Sequence, residues 1–245
     1  MTKNETGCKH AEKLPLSASI RKRQSEGRFP VISEIKVRSD KEGDLLRGRD
    51  PVLLAREMTQ HSVAGISVVT EPEHFGGHEG LLRAVAAAVN VPVLHKDFII
   101  TEHQIRESAA CGASAVLLIT ALLETKQMAQ LIEVAKDCRL ETLVEAHNIA
   151  EIRKVECLPF DLMGINNRDI TIFEVDDNDV SRTEELAGSC KGPRILISES
   201  SISSAADVRR AGRSGADAVL VGTAVLKVGN VAAFLDELTS VGWPV

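Results

Sequence analysis

The sequence contains no tyrosine and one tryptophan, and aromatic residues make up 3% of its 245 residues. Proteins that stack nucleic-acid bases on aromatic side chains need the opposite composition. Positive charge is scarce as well, since the formal net charge is -6 at pH 7 and the longest basic block is Arg21-Lys22-Arg23. Both deficits argue against nucleic acid or an anionic membrane surface as the main partner.

Long apolar runs and metal-binding patterns are also missing. The longest apolar stretch, near Ala115 to Leu123, is too short for a membrane span of ~20 residues, and the polar stretch Met1 to His10 has no apolar signal core. The five cysteines include no close pair with metal-ligand spacing, and their number is odd. His74 and His78 are separated by Gly76-Gly77, which disfavours a shared helical face. We therefore expect a cytoplasmic protein with reduced thiols and no metal.

The sequence does contain a regular alternation of short apolar strands and helices. Apolar residues make up 44% of the chain, which is enough for a large core. The pattern predicts eight strands, at residues 30–36, 65–69, 91–94, 115–119, 142–145, 162–165, 194–197 and 218–221. A predicted helix follows each strand; Asp50-Pro51 begins the first of these, and Ser204 to Asp207 resembles a capping box for a later one.

Eight strand–helix units in this length, without a long linker, predict an α/β protein with a (β/α)8 TIM barrel. We expect a single domain over residues 1–245, with a short N-terminal extension at 1–28 that includes a helix near 17–26, and a barrel that begins near residue 30. The similar corners Gly112–Leu117 and Gly215–Leu220 indicate a repeated unit. A doubly wound open sheet is the alternative, weakened by the lack of a GxGxxG sequence after the first strand.

Polar side chains gather at the ends of the predicted strands, where barrel enzymes place their active sites. Taken singly, each would be interpreted as a solvated loop residue or an ion pair, but six predicted strands contribute. Two lysines and three carboxylates in one ring can shift one another's pKa values toward neutrality, as acid-base catalysis requires. The group comprises Glu34, Lys36, Lys96, Glu145, Asn166, Arg168, Glu199, Ser200, Gly222 and Thr223.

The last two strand-to-helix loops favour an anion site. Ser198–Ser204 joins a strand to a capped helix, and Gly222-Thr223 precedes a short segment whose backbone N–H groups can face an anion. Phosphate is frequently bound at this place in barrels. A small phosphorylated molecule is therefore favoured over a purely structural turn.

Seven stretches of the sequence form an ordered set of motifs: Ser33–Lys36, Thr70–Gly77, Val93–Ile99, Leu143–Glu145, Gly164–Asp169, Ser198–Ser200 and Val221-Gly222. In this order they resemble the indole-3-glycerol phosphate synthase family, over almost the whole chain from Ser33 onward. The resemblance implies ring closure of 1-(2-carboxyphenylamino)-1-deoxyribulose 5-phosphate, with loss of carbon dioxide and water, in tryptophan biosynthesis. It implies no cofactor and no metal, and association with other enzymes of that pathway is a further expectation.

The resemblance also implies roles for the strand-end residues. Lys96 matches the general acid that protonates the developing alkoxide, and Lys36 matches the residue that holds anionic groups of the substrate and assists acid catalysis. Glu145 matches the carboxylate that transfers a proton in the later dehydration. Residues that position the substrate and the lysines are matched by Glu34, Asn166 and Glu199.

A second set is matched to substrate binding. Phe98 is expected to pack against the anthranilate ring. The expected substrate- and phosphate-binding residues are Ser39, Arg168, Ser200, Ser201, Gly222 and Thr223. Two loops depart from the family pattern, because Asp40 replaces a proline and Ser201 replaces a glycine of the phosphate turn. We expect these changes to tune affinity, since every proton-transfer residue is present.

Two other functions stay open from the residues themselves. One is a different sugar-phosphate barrel, such as an isomerase or an aldolase that uses Lys96 or Lys36 as a Schiff-base nucleophile, which borohydride would trap. The other is a barrel that only binds a phosphorylated ligand. It is disfavoured because a pure binder has no need for Lys96 beside Glu145.

Overall fold

A computed structural model describes residues 13–168, 179–190, 192 and 194–245. Within them eight parallel strands form a closed barrel in which β1 pairs with β10 on one side and with β4 on the other. The eight barrel strands are β1 (Val31–Ile35), β4 (Gly65–Val69), β5 (Val93–Lys96), β6 (Ala115–Ile119), β7 (Glu141–Ala146), β8 (Leu162–Asn166), β9 (Ile195–Glu199) and β10 (Ala218–Val221). Two short strands, β2 (Arg38–Ser39) and β3 (Gly43–Asp44), form a separate antiparallel pair. The predicted (β/α)8 barrel is confirmed, and the open doubly wound alternative is wrong.

Helices follow every barrel strand in the described part of the chain. Helix α1 (Leu16–Ser25) precedes the first strand. The helices that follow strands are α2 (Pro51–Met58), α3 (Pro72–Phe75), α4 (Glu79–Ala88), α5 (Glu102–Ala110), α6 (Thr125–Asp137), α7 (Ile149–Val155), α8 (Ser181–Leu186), α9 (Ala205–Arg213), α10 (Thr223–Lys227) and α11 (Val231–Thr239). No helix among the described residues is long and apolar enough to cross a membrane. The sequence pattern missed α3 and the small antiparallel hairpin of β2 and β3.

The predicted helix starts at Asp50 and Ser204 are confirmed. The Asp50 side chain accepts hydrogen bonds from the backbone N–H groups of Val52 and Leu53, with Pro51 in the first turn. The Ser204 hydroxyl accepts from the backbone N–H of Asp207. Each cap supplies a partner for N–H groups that a helix start otherwise leaves unbonded.

Helix α1 covers the N-terminal end of the barrel. Leu16 and Ile20 are fully buried against the side chains that fill the barrel interior, such as Ile32 and Leu94. The backbone N–H of Ser17 donates to Glu141 at the start of β7 over 3.0 Å. Because α1 occupies this end, the opposite end of the barrel is the open one.

The open end carries the predicted polar residues, because all eight strands run in the same direction. Lys96, Asn166 and Glu199 are the last residues of β5, β8 and β9, and Asn166 pairs with Glu199 in the strand register. Glu145 is the last residue but one of β7. The carboxyl-terminal ends of the strands therefore form one rim on which these side chains meet.

Candidate active site

Glu34 and Lys36 form the ion pair that their spacing on one strand predicts. Lys36 Nζ lies 3.5 Å from Glu34 Oε1 and donates a hydrogen bond to Thr223 Oγ1 over 3.1 Å. Both side chains are buried, and burial lowers the pKa of Lys36, with Arg168 and Lys96 acting in the same direction against the opposing effect of Glu34. Lys36 thus links the first strand to the turn where phosphate binding is expected.

Lys96 lies between two buried carboxylates. Its Nζ is 3.9 Å from Glu145 Oε2 and also 3.9 Å from Glu199 Oε2. Its side chain is 21% exposed, whereas those of the two glutamates are 1% exposed. Burial works against the charge of Lys96, but Glu145, Glu34 and Glu199 outweigh it and raise the pKa of the ammonium group. Lys96 is therefore a charged acid that reaches the mouth of the barrel.

The two glutamates around Lys96 differ in protonation. Burial opposes the ionisation of Glu145, but Lys96 and then His147 outweigh it and lower the pKa of Glu145. Burial, followed by the charge of Glu145, raises the pKa of Glu199 to about 8. Near neutral pH one carboxyl group is thus ionised and the other retains its proton. The predicted shift of pKa values toward neutrality is found for Lys36 and Glu199. It is wrong for Lys96 and Glu145, whose pKa values move away from neutrality.

The residues matched to phosphate binding lie on neighbouring strands of the rim. Strand β10 lies between β1 and β9 in the barrel, so the turns that follow these three strands adjoin one another. Ser200 and Ser201 have φ angles of +66° and +58°, in the left-handed region that favours glycine. Ser39 is buried and its hydroxyl accepts from the backbone N–H of Glu42 over 3.1 Å. Gly222-Thr223 begins α10.

Phe98 and Arg168 lie at the edge of the rim. Phe98 follows β5 and is 40% exposed, which leaves its ring available to a ligand. The backbone N–H of Arg168 donates to Asn166 Oδ1 over 3.0 Å, and its backbone carbonyl accepts a hydrogen bond from Arg182. Asp169, the last residue of the matching stretch Gly164–Asp169, lies outside the described residues.

Two residues of the rim were missed by the sequence analysis. His147 follows β7, and its Nε2 lies 3.2 Å from Glu145 Oε1. His147 comes two residues after Glu145, just as Lys36 comes two residues after Glu34. Residues two apart on a strand point to the same face, so this spacing could have identified His147. Asn167 donates to the backbone carbonyls of Glu199 and Ser200 and so fixes the start of the phosphate turn.

One group among the described residues has the geometry of a cation site. Potential ligand atoms of Glu71, Glu73 and His74 all lie within 4.8 Å of one another. The Glu71 carboxylate, however, accepts hydrogen bonds from three backbone N–H groups at the start of α3. His74 Nδ1 lies 3.1 Å from Asp40 Oδ2. These contacts explain the cluster as a helix cap beside a loop contact.

The fold is that of a (β/α)8-barrel enzyme, and the rim carries ionisable groups of the kind that acid-base chemistry uses. A family model for indole-3-glycerol phosphate synthase matches residues 3–238. The chain is 44% identical over 222 residues to the indole-3-glycerol phosphate synthase of Pyrococcus furiosus. The aligned residues make up 91% of this chain and 95% of that protein. The chain is also 41% identical over 226 residues to the enzyme of the same name from Thermococcus kodakarensis, covering 92% and 97% of the two chains.

A bacterial relative from Nocardioides, with the same name, is 40% identical over 211 residues, which are 86% of this chain and 80% of its own. The chain therefore belongs to the indole-3-glycerol phosphate synthase family, a family of carboxy-lyases of tryptophan biosynthesis. The resemblance drawn from the motifs is confirmed. An aldolase, an isomerase or a pure binder is no longer needed to explain the rim.

Proposed function

We propose that the chain closes the indole ring of 1-(2-carboxyphenylamino)-1-deoxyribulose 5-phosphate at this rim and forms indole-3-glycerol phosphate, carbon dioxide and water. The observation that carries the proposal is the position of the Lys96 ammonium, 3.9 Å from one oxygen of each of two buried carboxylates. Such an arrangement supplies a proton donor and a proton acceptor within reach of one small molecule.

Lys96 acts in the ring closure. The aromatic carbon that bears the carboxylate attacks the ketone carbon, a carbon–carbon bond forms, and negative charge develops on the ketone oxygen. The Lys96 ammonium stabilises this charge and gives the oxygen a proton, which produces a hydroxyl group. Loss of the carboxylate as carbon dioxide then returns its bonding electrons to the ring and restores aromaticity. Charge placed where an alkoxide develops is an efficient form of catalysis.

Glu145 acts in the dehydration that follows. The new hydroxyl group leaves as water, and the adjacent carbon loses a proton to form the double bond of the indole ring. The lowered pKa of Glu145 keeps this group ionised and able to accept that proton. Lys36, 3.5 Å from Glu34 and bonded to Thr223, assists departure of the hydroxyl group and holds anionic parts of the substrate.

The remaining residues bind and orient the substrate. Glu34, Asn166 and Glu199 position the amine, the hydroxyl groups and the lysines, and Phe98 contacts the anthranilate ring. The phosphate is held by Ser39, Arg168, Ser200, Ser201, Gly222 and Thr223. The support for this assignment is the adjacency of β1, β9 and β10 in the barrel and the exposure of Phe98.

We further infer that the protein works in the cytoplasm as one domain, with residues 1–28 as an extension and the barrel from about residue 30. Association with other tryptophan-pathway enzymes is part of the same proposal. Limited proteolysis checks the domain assignment, because a second folded unit would be released as a stable fragment. Sedimentation of the chain with candidate pathway enzymes checks the association.

The activity is tested by mixing the purified chain with the anthranilate-substituted deoxyribulose phosphate in EDTA and recording fluorescence. We expect indole emission to appear without added metal. If the substrate binds in a titration but no indole emission appears, the proposed reaction is wrong. Borohydride treatment in the presence of substrate adds a separate check, since a lysine adduct would indicate Schiff-base chemistry instead.

A further inference from the structure

His147 lies in the shell behind the rim, between two carboxylates. Its Nε2 is 3.2 Å from Glu145 Oε1, and its Nδ1 is 3.0 Å from Glu151 Oε2. The same Glu151 oxygen accepts a hydrogen bond from the backbone N–H of His147 over 2.8 Å. Asn148 Nδ2 donates to the other Glu151 oxygen over 2.7 Å. Glu151, in the first turn of α7, is thus fixed by three contacts and in turn fixes the imidazole ring.

We propose that His147 is a positioning residue that holds Glu145 by Oε1, so that Oε2 is the oxygen that faces Lys96 and exchanges a proton with the substrate. The inference rests on the proposed function, because it assigns His147 a part in the step that Glu145 performs. His147 itself lies behind Glu145 and acts on the reaction only through that carboxylate.

The two oxygens of Glu145 have different surroundings. Oε1 lies beside the His147 cation, whereas Oε2 is buried and lies 3.9 Å from Lys96 Nζ. Neither Oε2 nor His147 Nε2 has a hydrogen-bond partner among the described residues, so His147 holds Oε1 through an ion-pair contact and not through an aligned hydrogen bond. A buried carboxylate oxygen without a partner is costly and is rare in folded proteins. An oxygen that accepts a proton from the substrate must lie beside the general acid and have no other partner, and Glu145 Oε2 meets both conditions. The contact between Oε1 and His147 prevents the carboxylate from rotating into a position where Oε2 would gain a hydrogen bond.

The charge of His147 reinforces this arrangement. Burial disfavours the imidazolium, but Glu145 and Glu151 outweigh burial and raise the pKa of His147 to about 9. The ring is therefore a cation at neutral pH, and it contributes to the lowered pKa of Glu145. Among the described residues, Lys96 from β5 and Glu199 from β9 also act on this pair. Arg182 and Glu185 of α8 line a cavity of about 380 Å³ with His147.

A surface pair offers a matched comparison. His103 and Glu107 on α5 have the same four-residue spacing as His147 and Glu151, with His103 Nε2 3.3 Å from Glu107 Oε1. The His103 side chain is 80% exposed, so water screens this pair. Replacement of His103 by glutamine therefore makes the same chemical change in an exposed pair that does not contact Glu145.

The first test compares pH profiles of kcat for the unchanged protein, His147→Gln, His147→Ala and His103→Gln. We expect both His147 variants to move the acid limb of the profile to higher pH, because Glu145 loses a neighbouring cation. Loss of an outer partner costs about 10- to 100-fold in metal sites, and we expect a similar fall in kcat for His147→Ala. His147→Gln retains an N–H donor and should keep more of the turnover, with KM changed less than threefold in either variant. His103→Gln should match the unchanged protein.

A second test needs no substrate. The imidazole proton signals of His147 are followed by NMR as pH is varied, in the unchanged protein, in Glu145→Gln and in Glu151→Gln. We expect the midpoint of His147 to lie well above its ordinary value of 6.5 and each substitution to lower it. An ordinary midpoint that neither substitution moves, or an unmoved acid limb in both His147 variants, overturns the proposal. If the unchanged protein does not turn over the substrate, the proposed function fails, while NMR still decides whether His147 pairs with Glu145.

Discussion

The Glu34 carboxylate occupies the space in which a side chain on Gly222 would lie. A Cβ atom on Gly222 would approach Glu34 Oε1 to well within 3.0 Å, a separation that real Cβ atoms essentially never show. Gly222 therefore serves the site in two ways, because it begins the expected phosphate turn and leaves room for a carboxylate that pairs with Lys36.

Replacement of Gly222 by alanine should displace Glu34 and weaken its ion pair with Lys36. Overpacking of this kind costs about 1 to 3 kcal/mol, and we expect a loss of unfolding free energy in that range together with a fall in kcat/KM. Urea unfolding and steady-state kinetics measure the two effects. Gly229→Ala is the matched control, because a methyl group added there would meet no atom within 4 Å. Equal behaviour of the two variants would contradict the steric argument.

Lys96→Ala should lower turnover far more than substrate affinity. The substitution removes the cation that stabilises the developing alkoxide, and loss of one such group costs roughly 100- to 1,000-fold in kcat. Substrate binding, measured by titration, should change little. Lys136→Ala on the exposed surface of α6 is the control. A defect confined to affinity would rule out Lys96 as the general acid.

Ser201→Gly should tighten phosphate binding and stabilise the fold. A serine at φ +58° carries strain of about 1 to 2 kcal/mol, whereas glycine costs about 0.5 to 1 kcal/mol in chain entropy, so the net gain is up to ~1.5 kcal/mol. We expect a lower KM and a lower Ki for inorganic phosphate. Ser62→Gly, also at φ +58° but in the loop after α2, should raise stability without changing KM. Weaker phosphate binding in Ser201→Gly would show that this chain uses the serine side chain.

The free energy of unfolding should fall as pH rises, because Glu199 is protonated in the folded protein. Its pKa is raised from 4.5 to about 8 in the folded protein, so between these values the unfolded state releases a proton that the folded state keeps. The neutral carboxyl group contributes its full stabilisation below pH 4.5, the pKa of this group in the unfolded chain, and this stabilisation is lost as pH rises toward 8. We expect Glu199→Gln to flatten this fall in urea unfolding experiments.

The most useful window for that experiment is between about pH 5 and 6.5. His147, with its raised pKa, adds its own loss of stability only at higher pH, between its ordinary value of 6.5 and about 9. Parallel slopes for the unchanged protein and Glu199→Gln in the lower window would show that Glu199 is already ionised.

The regular parts of this fold could be predicted because each strand carries a local signal. Apolar runs such as Ala115–Ile119 stand out from the sequence, and a parallel barrel places the ends of such strands on one rim. The hairpin of Arg38–Ser39 and Gly43–Asp44 could not be found in this way, since two-residue strands have no alternation to detect. Barrel closure through β1 and β10 is a contact between distant parts of the chain that no local pattern records.

Individual site residues could be predicted where a motif existed. The directions of their pKa shifts could not be predicted from the sequence. Glu34, Lys36, Lys96 and Glu145 were identified from strand ends and from the family resemblance. At Glu145 the effect of burial is outweighed by Lys96 and then His147, whereas at Glu199 burial is reinforced by the charge of Glu145. The opposite protonation of the two carboxyl groups is therefore a property of the assembled rim. The direction of a pKa shift follows from burial and distances, neither of which a residue pattern contains.

Helix α1 has a consequence for the order of events in turnover. Because it covers one end of the barrel and packed side chains fill the interior, the substrate, carbon dioxide, water and the product must exchange through the same rim. Product that has not yet left occupies the route that the next substrate molecule requires. Inhibition by indole-3-glycerol phosphate should accordingly be competitive, with product departure limited by the same turns that hold the phosphate.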